Sequence, residues 1–192
     1  MNRDILGSFF NRILPLFPPR SEAVLRDVNT DSLRELNFRY IFTVDGMTTI
    51  SHVIEDMITK NPGVADLHVS FQYFSRFADQ EKRYEELARN ATGLWLYGVE
   101  DVPAPQLPRL NVVSTAGTPL EKYWFVIAYG PGVHATLLAE EITPENRLPH
   151  EPRMYEGFFT FEATTSFQIL TLLNQMFVKQ VPAPVAPEKI TA

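Results

Sequence analysis

The sequence predicts an α/β protein of the mixed α+β kind, with a single mixed β-sheet flanked by helices and an amphipathic helix at its N-terminus. Hydrophobic residues make up 45% of the 192 residues, which suits one domain with its own core and short appendages. Runs of alternating or β-branched apolar residues indicate strands, and apolar residues three and four apart indicate helices. In the first half these patterns alternate as strand, helix, strand, which favours a partly parallel sheet, and a later hairpin adds antiparallel strands.

The first element is a helix over residues 2–14, because Ile5, Phe9 and Ile13 recur at helical spacing within a wide apolar face. Prolines at 15, 18 and 19 end it. Docking on the rest of the domain, dimer formation and partner binding all remain open for this helix. A membrane-surface role is disfavoured because the segment has few cations.

The next elements form a strand–helix–strand unit. Residues 39–44 are β-branched and aromatic, which predicts a strand, and a turn is expected at 45–46. A helix capped by Thr48 or Thr49 follows, with an apolar face that runs to residue 58. Residues 66–73 alternate between apolar and polar side chains, which predicts a half-buried strand.

The second half contains further elements that the same patterns predict. They are a polar helix over 79–91, strands over 94–99 and 111–113 around a proline-punctuated loop, a hairpin of 123–129 and 133–140 around Gly130-Pro131-Gly132, a strand over 155–161, and a closing helix over 166–177. We therefore divide the chain into a helical or extended N-terminal extension (1–40), an α/β domain (41–178) and a proline-rich tail (179–192) that we expect to be disordered.

Composition and charge exclude several classes of function. Lys and Arg number 17 against 23 for Asp and Glu, a net charge of -6, which argues against direct nucleic-acid binding. The absence of cysteine excludes disulfides, thiolate zinc sites and cysteine nucleophiles. No apolar run approaches the roughly 20 residues that a membrane span requires, and no signal-peptide pattern is present, so we expect a cytoplasmic protein.

Catalytic signatures are absent from the sequence. It has no glycine-rich phosphate loop and no Gly-x-Ser-x-Gly elbow. Two of its four histidines, His68 and His134, fall on predicted strands, where together with a carboxylate such as Glu140 they could in principle bind a metal. Isolated histidines on a sheet are more often ordinary hydrogen-bonded residues, and the adjacent Glu140 and Glu141 are expected to be solvated. We predict no catalytic residue, no metal and no cofactor.

One segment is richer in binding chemistry than the rest. It follows the 66–73 strand, and the carboxyl ends of strands are where open α/β sheets bind ligands. Arg76 and Arg83 would hold an anionic group or a partner carboxylate, because a guanidinium offers a planar fork. The alternative is that the aromatic residues fill the core and the polar ones cap the next helix. The candidate ligand- or partner-binding residues are Phe71, Gln72, Ser75, Arg76, Gln80, Arg83 and Tyr84.

This segment also resembles the DICT domain, a sensory module associated with diguanylate cyclases and two-component systems. The resemblance covers roughly residues 50–161. Thr118 stands where the family usually has Asp, and His134 and Thr136 stand where it has small residues, which leaves the ligand preference open. The matching stretches, in order, are Ser70-Phe71-Gln72, Ser75-Arg76-Phe77, Gln80, Arg83-Tyr84, Leu87-Ala88, Leu96-Tyr97-Gly98-Val99, Asp101, Gly117-Thr118-Pro119-Leu120, Trp124-Phe125-Val126, Gly130-Pro131, Leu138-Ala139, Glu141 and Tyr155-Glu156-Gly157-Phe158-Phe159-Thr160.

The resemblance implies a non-catalytic sensory or adaptor module of bacterial signal transduction. Its partner would be a histidine kinase, a diguanylate cyclase or a transcription regulator, and cyanobacterial members are linked to light responses. The chain has no room for an output domain, so a stand-alone copy would act by protein–protein interaction. Binding of a partner or a small ligand near the end of the strand, at residues 69–73, would order the loop at 74–79 and bias the presentation of the 79–91 helix. Two alternatives remain: an assembly protein that forms a homo-oligomer such as a homodimer, and a small-molecule-binding protein or enzyme with a pocket at the sheet edge.

Overall fold

Seven strands form one sheet, and four α-helices cover it in the part of the chain described by this computed structural model, residues 4–20 and 37–190. The elements are α1 (Ile5–Ile13), β1 (Phe38–Thr43), α2 (Val44–Lys60), β2 (Asp66–Tyr73), α3 (Glu81–Asn90), β3 (Leu94–Val99), β4 (Leu110–Ser114), β5 (Tyr123–Gly130), β6 (Val133–Glu141), β7 (Met154–Thr160) and α4 (Ala163–Met176). A 3₁₀ segment, Phe74–Gln80, joins β2 to α3. The part of the predicted N-terminal extension at 21–36 lies outside the described residues.

The strand order is β1-β7-β6-β5-β2-β3-β4. β2, β3 and β4 run parallel to one another, and the remaining neighbours pair antiparallel. The β2–α3–β3 crossover supplies one parallel pair, and the β5–β6 hairpin starts the antiparallel part. The predicted mixed sheet flanked by helices is confirmed.

Both faces of the sheet are covered. Side chains alternate along every strand, so each strand contributes residues to both faces. One face packs against α2 and α3, and the other packs against α1, α4 and Val181. On β2, Leu67 and Val69 face α2, whereas His68 and Ser70 belong to the opposite face and are also buried. The expectation of a half-buried strand was therefore wrong, because the face of the sheet that packs against α1 and α4 also covers the polar positions of β2.

α2 begins earlier than the sequence predicted. Its first residue is Val44, and the Thr43 hydroxyl caps it by accepting the backbone N–H of Gly46 at 3.2 Å. The expected turn at 45–46 is the first turn of the helix. Thr48 and Thr49 do not cap it, because their hydroxyls donate to backbone carbonyls four residues earlier.

α1 docks on the sheet. Asp4 caps it by accepting the backbone N–H of Gly7 at 2.6 Å, and Leu6 and Phe10 are fully buried. The Phe10 ring meets the ring of Tyr123 edge-on, with centroids 5.8 Å apart. The apolar face of this helix is therefore used within its own chain.

Residues 179–190 of the proline-rich segment pack against the rest of the chain, at the place where the sequence predicts a disordered tail. Trp95 Nε1 donates to the carbonyl of Gln180 at 3.2 Å, and the Tyr129 hydroxyl donates to the carbonyl of Val185 at 2.6 Å. Prolines remove backbone donors but keep the carbonyl acceptors. An extended proline-rich segment can therefore be held by side-chain donors of the sheet. No helix in the described ranges, 4–20 and 37–190, has the length and apolar character needed to cross a membrane.

Candidate functional site

A pocket of about 250 Å³ lies between α2 and the sheet, beside the end of β2. We call it the α2 pocket. Its roof is one stripe of α2, from Val44 through Thr48 to Glu55, and its floor includes Val69 and Val126. Four of the seven predicted binding residues line it: Phe71, Arg76, Gln80 and Tyr84.

Gln72 organises the end of β2 although it does not line the pocket. Its backbone has a φ of +66° at an irregularity in the pairing of β2 with β3, and its side chain is 1% exposed. The side-chain oxygen accepts from Arg76, from Tyr155 at 3.1 Å and from Arg153 at 3.5 Å. The side-chain nitrogen donates to Glu141 at 2.9 Å. One amide thus joins β2, the 3₁₀ segment, β6 and β7.

Two guanidinium groups lie at the rim of the α2 pocket and share one carboxylate. Nη1 of Arg76 and Nη1 of Arg153 lie 4.0 Å and 3.8 Å from Glu141 Oε2. Burial lowers the pKa of Arg76, and the neighbouring charge of Arg153 lowers it further, against the opposite effects of Tyr155 and Glu141. Glu141 is half-buried in this cluster, so the expectation that it is simply solvated was wrong.

Ser75 fixes the start of the 3₁₀ segment from outside the pocket. Its backbone N–H and its hydroxyl donate to the two carboxylate oxygens of Asp101, at 2.9 Å and 2.5 Å. These bonds lower the pKa of the Asp101 carboxyl. Asp101 follows β3, so the contact ties the 3₁₀ segment to the next connection of the sheet.

Arg83 and Tyr84 bind carboxylates of their own chain. Arg83 donates through Nε to Glu55 and through Nη2 to Asp56 at 2.6 Å. The Tyr84 hydroxyl donates to Glu55 Oε1 at 2.6 Å. Glu55 is 2% exposed, so its charge is balanced inside the protein rather than by water.

Burial and the Glu55 charge hold the pKa of Tyr84 well above its usual range. Burial lowers the pKa of Arg83, but the hydrogen bonds to Glu55 and Asp56 and the charges of these two carboxylates together outweigh burial and raise it. Tyr84 therefore stays a donor, and Arg83 stays a cation.

The sequence left open whether the aromatic residues of this segment fill the core or form a binding site, and in the structure they both fill the core and line the α2 pocket. Phe74 and Phe77 fill the core. Phe71 packs against Phe77 and Tyr84, with ring centroids 5.4 Å and 5.5 Å away, and also lines the α2 pocket.

Several pocket residues were missed by sequence reasoning. Arg153, Trp124, His52 and Glu55 all line the cavity. His52 Nε2 lies 3.3 Å from Gln80 Oε1, which brings α2 to the 3₁₀ segment. The α2 residues carried a signal, since Thr48, His52 and Glu55 recur at helical spacing. Arg153, just before β7, carried none.

A second cavity, of about 450 Å³, lies under residues 182–190 and is bordered by His68 and Tyr129. His68 stacks on Trp95 with ring centroids 4.4 Å apart, and its Nδ1 lies 2.9 Å from the Tyr97 hydroxyl. Burial lowers the pKa of His68 to about 3. His134 Nδ1 instead faces the carbonyl of Phe161 at 2.6 Å. Within the described ranges, no group of three or more His, Asp or Glu residues is placed to hold a metal.

The comparisons with known proteins gave one match. The family model described as "Sensory domain in DIguanylate Cyclases and Two-component system", DICT, matches residues 29–142, more than half of the chain. The match includes α2, β2, the 3₁₀ segment and α3, and hence every pocket residue named above except Arg153. Neither the search of curated proteins nor the search of solved structures gave a significant match.

Proposed function

Since this chain belongs to the DICT family of sensory domains, we propose that it is a non-catalytic input module of bacterial signal transduction that binds a small ligand in the α2 pocket. The observation that carries the proposal is the pocket itself. It joins an apolar floor to a few convergent polar groups at the end of a strand, which is the usual form of a small-molecule site. The stimulus is then the ligand, which in a light response would be a non-covalently bound pigment.

The pocket is connected to the surface through the 3₁₀ segment. Arg76 and Gln80 line the pocket and belong to this segment, which continues directly into α3. A ligand that binds one position of the segment more tightly shifts the population toward that position. The position of α3 would change with it, because α3 follows without a break.

The output would be read by a signalling protein. The side of α3 turned away from the core is exposed and carries charges of both signs, at Glu81, Lys82, Glu85, Glu86 and Arg89. We propose that a histidine kinase, a diguanylate cyclase or a transcription regulator contacts this surface. A change in the angle of α3 would then alter the fit to the partner without any chemistry in the pocket.

Native mass spectrometry of the protein purified from its own host under mild lysis tests the proposal. Thr48→Trp fills the pocket from α2, and Thr49→Trp is a matched control, because Thr49 is the next residue, is exposed and does not line the cavity. Both threonines make the same hydroxyl bond, at 2.9 Å, to the carbonyl four residues earlier.

We expect the wild type and Thr49→Trp to retain an additional mass at fixed stoichiometry and Thr48→Trp to lose it. Thermal unfolding checks that both variants fold. Retention of the mass by a folded Thr48→Trp would contradict the pocket assignment. A ligand-free mass with a co-purifying protein would instead support an adaptor without a small ligand.

A further inference from the structure

We propose that the ligand of the α2 pocket is a small organic carboxylate with a compact apolar body, of the arylcarboxylate class. This inference rests on the proposed function, since it assigns the chemistry of the same pocket. It is carried by the charge balance at the rim, by the unused donors of two arginines and by the size and lining of the cavity.

The Gln72 cluster at the rim holds two guanidinium groups and one carboxylate, so positive charge exceeds negative charge within this cluster. Arg76 and Arg153 are 30% and 22% exposed, and they share the single carboxylate of Glu141. The acids that line the pocket itself are Glu55 and Asp79. Glu55 pairs with Arg83, which also pairs with Asp56, and Asp79 is exposed to water. One anion placed between the two guanidinium groups would balance the cluster and relieve their mutual repulsion.

The two arginines also keep donors free. A guanidinium has five N–H groups. Among the described residues, each of these guanidinium groups has one hydrogen-bond acceptor, and both use the same one, the side-chain oxygen of Gln72. The remaining N–H groups are available to a carboxylate, for which a planar fork gives a paired hydrogen bond. The binding of an anion therefore leaves the Gln72 cluster intact.

The rest of the pocket suits an apolar body. Val69 and Val126 are register partners on β2 and β5 and form the floor, and Phe71 and Trp124 add aromatic surface. A volume of about 250 Å³ lies just below the roughly 300–1,000 Å³ of drug-sized sites, so a dinucleotide does not fit. A zwitterion is disfavoured, because both oxygens of Glu55 already accept, from Tyr84 and Arg83, and the other lining acid, Asp79, is exposed to water.

Calorimetric titration with matched probes tests the inference. Phenylacetate carries the charge, phenylacetamide is its neutral counterpart and phenethylamine is a cation with a similar body. We expect phenylacetate to bind and the other two to bind at least about tenfold more weakly, which is the scale of one lost charge-assisted hydrogen bond.

Variants then locate the anion. Arg76→Gln and Arg153→Gln should each weaken phenylacetate binding about tenfold or more, and Arg76→Lys, which keeps the charge but loses the fork, should fall between Arg76→Gln and the wild type. Arg12→Gln is the matched control, since Arg12 lies exposed on α1, which covers the opposite face of the sheet. Thr48→Trp should abolish binding.

The outcomes separate this inference from the proposed function. Equal binding of phenylacetate and phenylacetamide, with both blocked by Thr48→Trp, would contradict the carboxylate assignment but would still support the pocket as the binding site. Unchanged affinity in folded Arg76→Gln and Arg153→Gln would do the same. Failure of phenylacetate to bind overturns the inference, and retention of a host ligand in the native mass experiment would then still support the pocket.

Discussion

Replacing Gln72 separately by Gly and by Ala tests the cluster at the rim of the α2 pocket. Both changes delete the side chain that bonds Arg76, Glu141, Arg153 and Tyr155. They differ only in the backbone, because at a φ of +66° Ala is strained and Gly is not. The pair therefore separates the contribution of the hydrogen bonds from that of the backbone conformation.

Most of the stability lost with the side chain comes from Tyr155, because this fully buried residue loses the hydrogen-bond acceptor that lies 3.1 Å from its hydroxyl. Such a loss costs about 1–3 kcal/mol, whereas water can replace part of the bonding at the half-buried charged groups. Gly has no Cβ and avoids the strain of the left-handed backbone, which stabilises the Gly variant by about 1–2 kcal/mol relative to the Ala variant. The greater conformational freedom of Gly in the unfolded chain lowers the free energy of unfolding of the Gly variant by about 0.4–1 kcal/mol. We therefore expect Gln72→Ala to lose about 2 kcal/mol and Gln72→Gly to be about 0.5–1 kcal/mol more stable than it.

Urea unfolding followed by fluorescence measures these differences, since both tryptophans, Trp95 and Trp124, are buried. A Gln72→Ala protein as stable as Gln72→Gly would refute the strained backbone. A loss below about 0.5 kcal/mol in both variants would show that the buried amide contributes little, since that is the scatter expected of neutral surface changes.

Three further predictions concern other buried groups. Tyr84→Phe removes the donor 2.6 Å from buried Glu55 and should reduce the free energy of unfolding by about 1.5–3 kcal/mol; a loss below 0.5 kcal/mol in urea unfolding would contradict it. His68 has a native pKa of about 3, below its unfolded value of about 6.5, so the unfolded state binds the extra proton and stability is lost as pH falls from 6.5 toward 3. His68→Phe should therefore lose about 2 kcal/mol less than the wild type between pH 7 and pH 5, and an equal loss would place the histidine in water. Tyr129→Phe removes the donor to the Val185 carbonyl and should increase hydrogen exchange across residues 182–190 with about 1 kcal/mol or less of global destabilisation; unchanged exchange would mean that other contacts hold the segment.

Most of the sheet could be predicted because strands and helices each leave a local periodic pattern of apolar residues in the sequence. The alternation that marks β2 and the Gly130-Pro131-Gly132 turn of the β5–β6 hairpin are each contained within a few residues. The start of α2 could not be predicted in this way. Thr43, Thr48 and Thr49 are all suitable caps by residue type, and only the position at which β1 leaves the sheet makes Thr43 the cap.

The candidate site was predictable only where it is local. Phe71 lies near the end of β2, and Arg76, Gln80 and Tyr84 follow that strand, so the strand-end rule brought the four together. Glu141 and Arg153 lie 69 and 81 residues from Gln72 along the chain and reach it only through the pairing of β5, β6 and β7. Local sequence patterns carry no information on such contacts.

The proline-rich segment illustrates a different limit. Its composition is typical of a flexible end, because prolines at 182, 184 and 187 offer few donors and little apolar area. The contacts that order it come from donors elsewhere in the chain, namely Trp95, Tyr129 and Asn174. Composition describes what a segment can do alone, and it cannot show which acceptors the folded domain will use.

The same rim contacts suggest how occupancy of the pocket would be communicated. The 3₁₀ segment is held at Arg76 by Gln72 and at Ser75 by Asp101, and only the first of these contacts lies beside the pocket. An anion that pairs with the free donors of Arg76 would shift the 3₁₀ segment relative to the Asp101 anchor, and α3 would then move relative to the β3–β4 connection. Linkage then requires that a partner bound to the displaced α3 tighten ligand binding by the same factor that the ligand tightens partner binding. Asp101→Asn weakens the anchor without touching the pocket, so it should tighten ligand binding in the isolated domain and change the factor by which the partner tightens it; calorimetric titration with and without the partner measures both.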